Sequence, residues 1–374
     1  MSRDISSREF NFCAKLLFLT DGFRWHLLFT IIVLLLTLFS PSYCGKYVAE
    51  FLEVGIGVRA AGLGGAYVAA GDDASAFWWN PACVAWNNIP QIYMMHSAMY
   101  DNMYQLDAVA YKDKLFGTYL AASFLRLGTD QIPFTREDGF YDYGPDGVPG
   151  TGDEGEGNGV WDPGEPVDAS AVDMRSEGDY AVIAGAAFPV SKCLAWGLSA
   201  KIIHQNIGGY KNIGFGADIG IRFKLSQRLM LGMSVLDVTG THISWNTGFS
   251  ESKLPSMRAG AAYEIALKRD DAISLLLTGD IEVRFEGAAE SAIISIDPIS
   301  IDPHIGAELS LWHHFFPRIG FDRDQFTTGA GLKISRFSLD YAFVMSTIDY
   351  VHRVSLTIDF NPRLPPSVQQ PLKS

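Results

Sequence analysis

The chain has 374 residues, 48% hydrophobic and 19% charged, with a formal net charge of -13 and a mean hydropathy of +0.10. That balance is too apolar for an ordinary soluble protein and too polar for a bundle of membrane helices. A transmembrane barrel, in which only alternate residues of each strand face lipid, fits between the two. The negative charge argues against nucleic acid as a partner.

Residues 1–44 carry the long apolar run, Leu27–Phe39, which is shorter than the roughly 20 residues of a comfortable helical span. Arg24 precedes it and Pro41-Ser42-Tyr43-Cys44 follows, the layout of a secretory signal peptide cut near Gly45. A retained anchor and a start codon further downstream are the alternatives. Cys13 and Cys44 would leave with this leader, so the mature chain keeps Cys83 and Cys193. Export permits a disulfide between them; two buried free thiols are the expectation.

The next segment, 45–89, is the most informative. Val54–Ala85 is built from Gly and Ala, ends in Asn80-Pro81-Ala82, and has the period of neither a strand nor an amphipathic helix. Small residues allow close backbone packing and unusual dihedrals, which suits a compact plug. Around Asp72-Asp73-Ala74 and Asn80-Pro81-Ala82 it resembles the N-terminal region of the PorV/PorQ family, within the wider group of FadL-type outer-membrane barrels. The resemblance implies an all-β protein, a transmembrane antiparallel β-barrel with this segment as a hatch inside it. Asp72, Asp73, Asn80, Pro81 and Ala82 would be its hatch motif.

From Pro90 to Phe360 the chain alternates with period two. Ile213, Phe215, Ile219, Ile221 and Phe223 alternate with Asn212, Gly214, Asp218, Gly220 and Arg222. The same holds along Ile273–Glu286, Met257–Lys268, Arg336–Ser346 and Arg353–Phe360. Strand geometry puts the two sets on opposite faces. The runs are longer than the roughly 5–6 residues of soluble strands and match the roughly 9–11 of a tilted membrane strand. About fourteen strands fit, the apolar face toward lipid and the charged face toward the lumen. Tight connections are expected at Lys112–Lys114, Pro189–Lys192, Ser226–Arg228, Lys268–Asp271 and Ile334–Arg336. Long ones follow Leu127 and span Thr239–Leu254 and Gly287–Pro303. Short turns belong to the periplasm and long loops to the cell surface. Tyr111, Trp196, Trp312 and Tyr350 would belong to interfacial girdles, and 361–374 is a Pro-rich periplasmic tail.

The insert 128–173 carries most of the charge imbalance: Glu137–Asp168 holds ten acidic residues and no Lys or Arg. Glu154–Glu165 reads EGEGNGVWDPGE. Glu154, Glu156, Asn158, Asp162 and Glu165 fall at the side-chain positions of a calcium loop, with Gly159 at the sharp turn and the Val160 carbonyl as a further ligand. A weaker unit precedes it, with Asp142, Asp146 and Asp153. Glu154 stands where Asp is usual, and no flanking helices are possible amid so much Gly and Pro. A structural calcium ion of weak affinity, roughly 0.1–1 mM, is one expectation; a solvated acidic loop that repels lipopolysaccharide is the other.

No nucleophile elbow, zinc-binding His-Glu-x-x-His or phosphate loop occurs, so no enzyme activity is expected. His313-His314 falls at a turn, and Asp280, Glu282 and Arg284 read as a lumenal charge ladder. The family resemblance then implies two functions. One is a partner in protein secretion of the type IX kind, presenting outer loops to secreted proteins or secretion machinery. The other is passive transport of hydrophobic small molecules or fatty acids through the hatch, with Val58, Leu63, Tyr67, Phe77, Trp78 and Trp79 as candidate pocket lining. Either places the chain in the outer membrane of a Gram-negative-type bacterium, among outer-membrane lipid and dependent on the barrel assembly machinery.

Overall fold

The computed structural model describes residues 48–135, 139–268, 272–285, 292–296, 298–346 and 349–360. The leader 1–44 and the tail 361–374 lie outside the described residues.

The period-two pattern becomes one sheet of 17 strands. β1 (Gln91–Met99), β2 (Tyr104–Leu115), β3 (Thr118–Thr135), β4 (Val172–Pro189), β5 (Leu194–Ile207), β6 (Tyr210–Lys224) and β7 (Leu229–Leu236) follow in chain order. β8 (Thr241–Trp245) takes up β6 beyond the end of β7, and β9 (Ser250–Lys253) folds back on it. β10 (Ser256–Ala266) pairs with β7 and with β11 (Ile273–Arg284). β12 (Ile294–Ile296) is a short addition to β13 (Ile299–Leu311). β14 (Phe315–Asp322), β15 (Gln325–Ile334), β16 (Phe337–Met345) and β17 (Tyr350–Asp359) complete the series. β1 pairs with both β2 and β17, so the sheet closes. With β8, β9 and β12 set aside, the wall is an antiparallel barrel of 14 staves. Closure leaves no unpaired edge, the condition for a sheet to cross a membrane.

Each face carries what the alternation predicts. On β6, Asn212, Asp218 and Arg222 are buried inward while Ile213, Phe215 and Ile221 are exposed outward. On β11, Thr278, Asp280, Glu282 and Arg284 are buried and Leu277 and Ile281 exposed. The inner wall has two sectors. β1–β5 contribute mainly apolar residues, among them Tyr93, Met95, Leu106, Leu125, Ile183 and Ile203. β6–β17 contribute most of the charges, with ion pairs Arg258–Glu282 and Arg284–Asp302, both 2.6 Å, forming the anticipated ladder.

Several boundaries differ from expectation. β2 continues through Lys112–Lys114 to Leu115, and the turn falls at Phe116 and Gly117, both with positive φ. β3 and β4 run well past Leu127 and keep pairing to Thr135 and Val172, so the loop between them begins later and ends earlier. Thr239–Leu254 is a β-hairpin rather than an irregular loop. Part of Lys268–Asp271 and of Gly287–Pro303 lies outside the described residues. Tyr111, Trp196, Trp312 and Tyr350 are all exposed on the outer surface or its turns. Cys83 is a buried free thiol. Cys193 is disulfide-bonded, which corrects the expectation of two free thiols.

Candidate functional site

Residues 48–89 fill the lumen. They form two short helices, α1 (Val58–Gly62) and α2 (Ala76–Trp79), and 3-10 turns at Glu50–Leu52 and Pro81–Val84. Gly64 and Gly65, with φ of +64° and +76°, reverse the chain after α1, where residues with a Cβ are strained. Asp73 starts α2: its Oδ1 accepts from Ser75 N at 2.9 Å and Ala76 N at 3.1 Å, and its Oδ2 accepts from the Tyr67 hydroxyl at 2.7 Å. Asn80 caps the next turn, accepting from Ala82 N at 2.9 Å, while Pro81 occupies the first position, where no donor is needed.

The same side chains fasten the segment to the wall. Asn80 Nδ2 donates to Val68 O at 3.0 Å within the segment and to Ile221 O on β6 at 3.1 Å. Asp280 accepts from the backbone N–H groups of Tyr67 and Val68, at 2.7 and 2.9 Å. Arg222 donates to the carbonyls of Cys83 and Ala69, and Arg353 to those of Gly55 and Val54. Arg59 makes a two-pronged pair with Glu308, both contacts 2.8 Å, and a third bond to Asp72 at 2.6 Å. Glu308 also accepts from Arg318, which reaches Asp340. Lys112 donates to the Asp72 carbonyl. Wall glycines make room: a Cβ on Gly220 would overlap the Asn80 side chain, and one on Gly306 the Leu63 backbone. A segment without regular ladders thus has its backbone groups satisfied by inward side chains, as burial requires. Sequence reasoning found Asp72, Asp73 and Asn80 but missed Arg59, Arg222, Glu308 and Arg353. Alternation marks the three wall residues only as inward.

The six candidate lining residues fall in the packed core. Val58, Leu63, Tyr67 and Phe77 are at most 1% exposed. α1 packs on β14–β17, α2 on β3, and the turn after it on β3–β6, so the apolar sector is filled. Trp78 and Trp79 border a cleft of about 30 Å³, room for one or two waters. Trp79 also borders a cavity of about 480 Å³ at the loop end, and its ring lies under Arg258. A second cavity, about 320 Å³, lies at the short-turn end beside Arg59, Asp72, Glu308 and Asp359. The segment separates the two.

Burial pushes the Cys83 thiol up to about 11, against an opposing contribution from Arg222. The thiol therefore stays protonated at neutral pH and lies out of reach of solvent. Maleimide is expected to leave Cys83 unmodified in the folded barrel at pH 7 and to label it after denaturation. Rapid labelling of the folded protein, read by intact mass, would mean that the segment leaves the lumen readily.

In the insert, the proposed calcium ligands serve as turn caps. The two oxygens of Asp142 accept from Gly157 N and Gly159 N, each 2.7 Å, so the two units interlock. Glu156 accepts from Gly150 N and Gly152 N, and Glu165 from Gly144 N and Asp162 N. Asn158 accepts from Val160 N and donates to Asp162, while Asp153 accepts from Asp146 N. Glu154 lies among the turns, and the Val160 side chain is exposed. Among the described residues no three His, Cys, Asp or Glu side chains converge on a metal position. His313 and His314 occupy the exposed turn between β13 and β14.

The structure defines the class as a closed antiparallel barrel of 14 staves, with residues 48–89 packed against its inner wall. No family model matches the sequence, and no curated protein does either. Solved structures share the fold. A deltaS2S3 mutant of TodX, a monoaromatic hydrocarbon channel, superposes with a TM-score of 0.51 at 11% identity, covering 82% of this chain and 99% of that one. CymD, a monoaromatic hydrocarbon channel, gives 0.50 at 11% identity, covering 83% and 98%.

Proposed function

We propose that the chain is a passive outer-membrane channel for small, largely apolar molecules, with residues 48–89 as a hatch that must shift for passage. The observation that carries this reading is the partition of the lumen into cavities of about 480 and 320 Å³ by a segment held through side chains rather than through the sheet. Side-chain latches can be released one by one without opening the wall. The apolar sector of β1–β5, against which α2 packs, offers a solute path once α2 withdraws. The neighbours sharing the fold are named as hydrocarbon channels, so this reading takes precedence over a secretion scaffold of the PorV/PorQ kind. The orientation follows the rule for such barrels, with chain ends and short turns in the periplasm and the insert outside.

The test is uptake of labelled toluene by a porin-poor Gram-negative host that expresses the full chain. A clear rise in initial rate over cells with an empty vector is expected. An unchanged rate, with the barrel shown to be folded in the outer membrane, would overturn the assignment.

A further inference from the structure

The outer cavity contains an acidic, aromatic recess that the lumenal segment does not use. Glu177 and Asp179 are two residues apart on β4, so both point inward. Register places Asp179 opposite Leu127 on β3 and Gln205 on β5. Leu127 in turn lies opposite Leu106, two residues from Tyr104 on β2. Glu177, Asp179, Leu127, Tyr100 and Tyr104 all line the cavity of about 480 Å³. Asp179 is only 6% exposed, and although Gln205 hydrogen-bonds its carboxylate, Oδ1 has no partner.

A buried carboxylate oxygen without a donor is unfavourable, so the recess is incomplete as it stands. The guanidinium groups of the cavity are engaged elsewhere, Arg258 with Glu282 and Arg284 with Asp302. Counted over the whole lining, six carboxylates face four guanidiniums and the His304 imidazole, which pairs with Glu282 and Asp322. The excess is negative, and Glu177 and Asp179 share the cavity lining with Tyr100 and Tyr104. Carboxylates beside aromatic rings recognise an organic ammonium through charge and cation–π attraction together, and Leu127 supplies an apolar contact for the rest of the molecule.

We propose that the outer cavity binds a small primary amine with an apolar body. Asp179 and Glu177 take the ammonium group, and Tyr100 and Tyr104 flank it. This rests on the channel reading and names the class of molecule accepted on the outer side. The probe is phenethylamine, titrated by calorimetry into the full-length chain in detergent, with 2-phenylethanol and 3-phenylpropionate as uncharged and anionic matches. Phenethylamine is expected to bind about tenfold or more tighter than either, and Asp179→Asn to weaken it by about tenfold, or 1.4 kcal/mol. Glu177→Gln should weaken it in the same direction and stands in if Asp179→Asn does not give a barrel with heat-modifiable migration. Equal binding of 2-phenylethanol, tighter binding of 3-phenylpropionate, or no loss in the folded variant overturns the proposal. Liposome flux of phenethylamine separates the two readings. Binding without flux removes the channel and leaves the site, whereas flux indifferent to Asp179 removes the site and leaves the channel.

Discussion

Replacing Trp79 with Ala is expected to turn the stoppered lumen into a leaking one. Trp79 stands, with Glu53 and Arg258, between the cleft of about 30 Å³ and the outer cavity of about 480 Å³, since these three residues border both. The indole N–H donates to Ile56 O at 2.8 Å, and the ring packs against Gly55, where a Cβ would stand 3.0 Å from Cζ2. Arg258 stacks on it, with 4.8 Å from Cζ to the ring centroid. Truncation removes a buried ring, leaves the Ile56 carbonyl unpaired and joins the two spaces. Buried Trp→Ala changes cost about 3–5 kcal/mol, and here the loss falls on docking of the segment, because the wall's own ladders are untouched. Planar-bilayer recordings should show frequent openings in Trp79→Ala and few in the parent chain. Trp79→Phe keeps a ring and loses the hydrogen bond, so it should fall between them. A folded Trp79→Ala barrel with the parent's conductance would show that Trp79 does not seal the lumen.

The same residue shows how far the sequence could be read. The aromatic run Phe77–Trp79 marks the segment as unusual, and its Gly and Ala content marks it as close-packed. Composition does not say whether the rings face a cavity or fill one. Phe77 fills it and Trp78 and Trp79 stand at its edge, because β1–β5 present an apolar inner face and burying both surfaces together is favourable. Strands and faces were legible because a period of two is a local property: Ile213 and Asp218 declare their sides without reference to any other strand. Latches were not legible, because they join distant positions. Arg59 meets Glu308 across 249 residues, and many inward carboxylates were equally plausible partners. The insert is ambiguous in sequence for another reason. Oxygens spaced around a glycine turn suit a cation or backbone N–H groups equally, and Asp142 and Glu156 serve the latter.

Glu308→Ala should release the segment from the opposite wall. Glu308 is the hub of that side: Arg59 of α1 pairs with it through two bonds of 2.8 Å, and Arg318 of β14 through one of 2.5 Å. Its side chain is 6% exposed, so the pairs are little screened by salt. Removal leaves two guanidiniums facing one another. Asp72 and Asp340 still hold one each, but on the far sides of the gap. Breaking a buried pair by deleting one partner costs about 3–5 kcal/mol, and like-charge repulsion between Arg59 and Arg318 adds to it. Hydrogen exchange over 58–72 should rise sharply in Glu308→Ala, while β1–β5 stay protected. Arg59→Ala alone should have a smaller effect, because Glu308 keeps Arg318. The double variant distinguishes a latch from general weakening. If Arg59 acts through Glu308, Arg59→Ala in the Glu308→Ala background removes a repelling charge and restores part of the protection, so the two changes fall well short of additive. Additive loss would mean that each residue supports the fold separately and that the pair does not hold the segment in place.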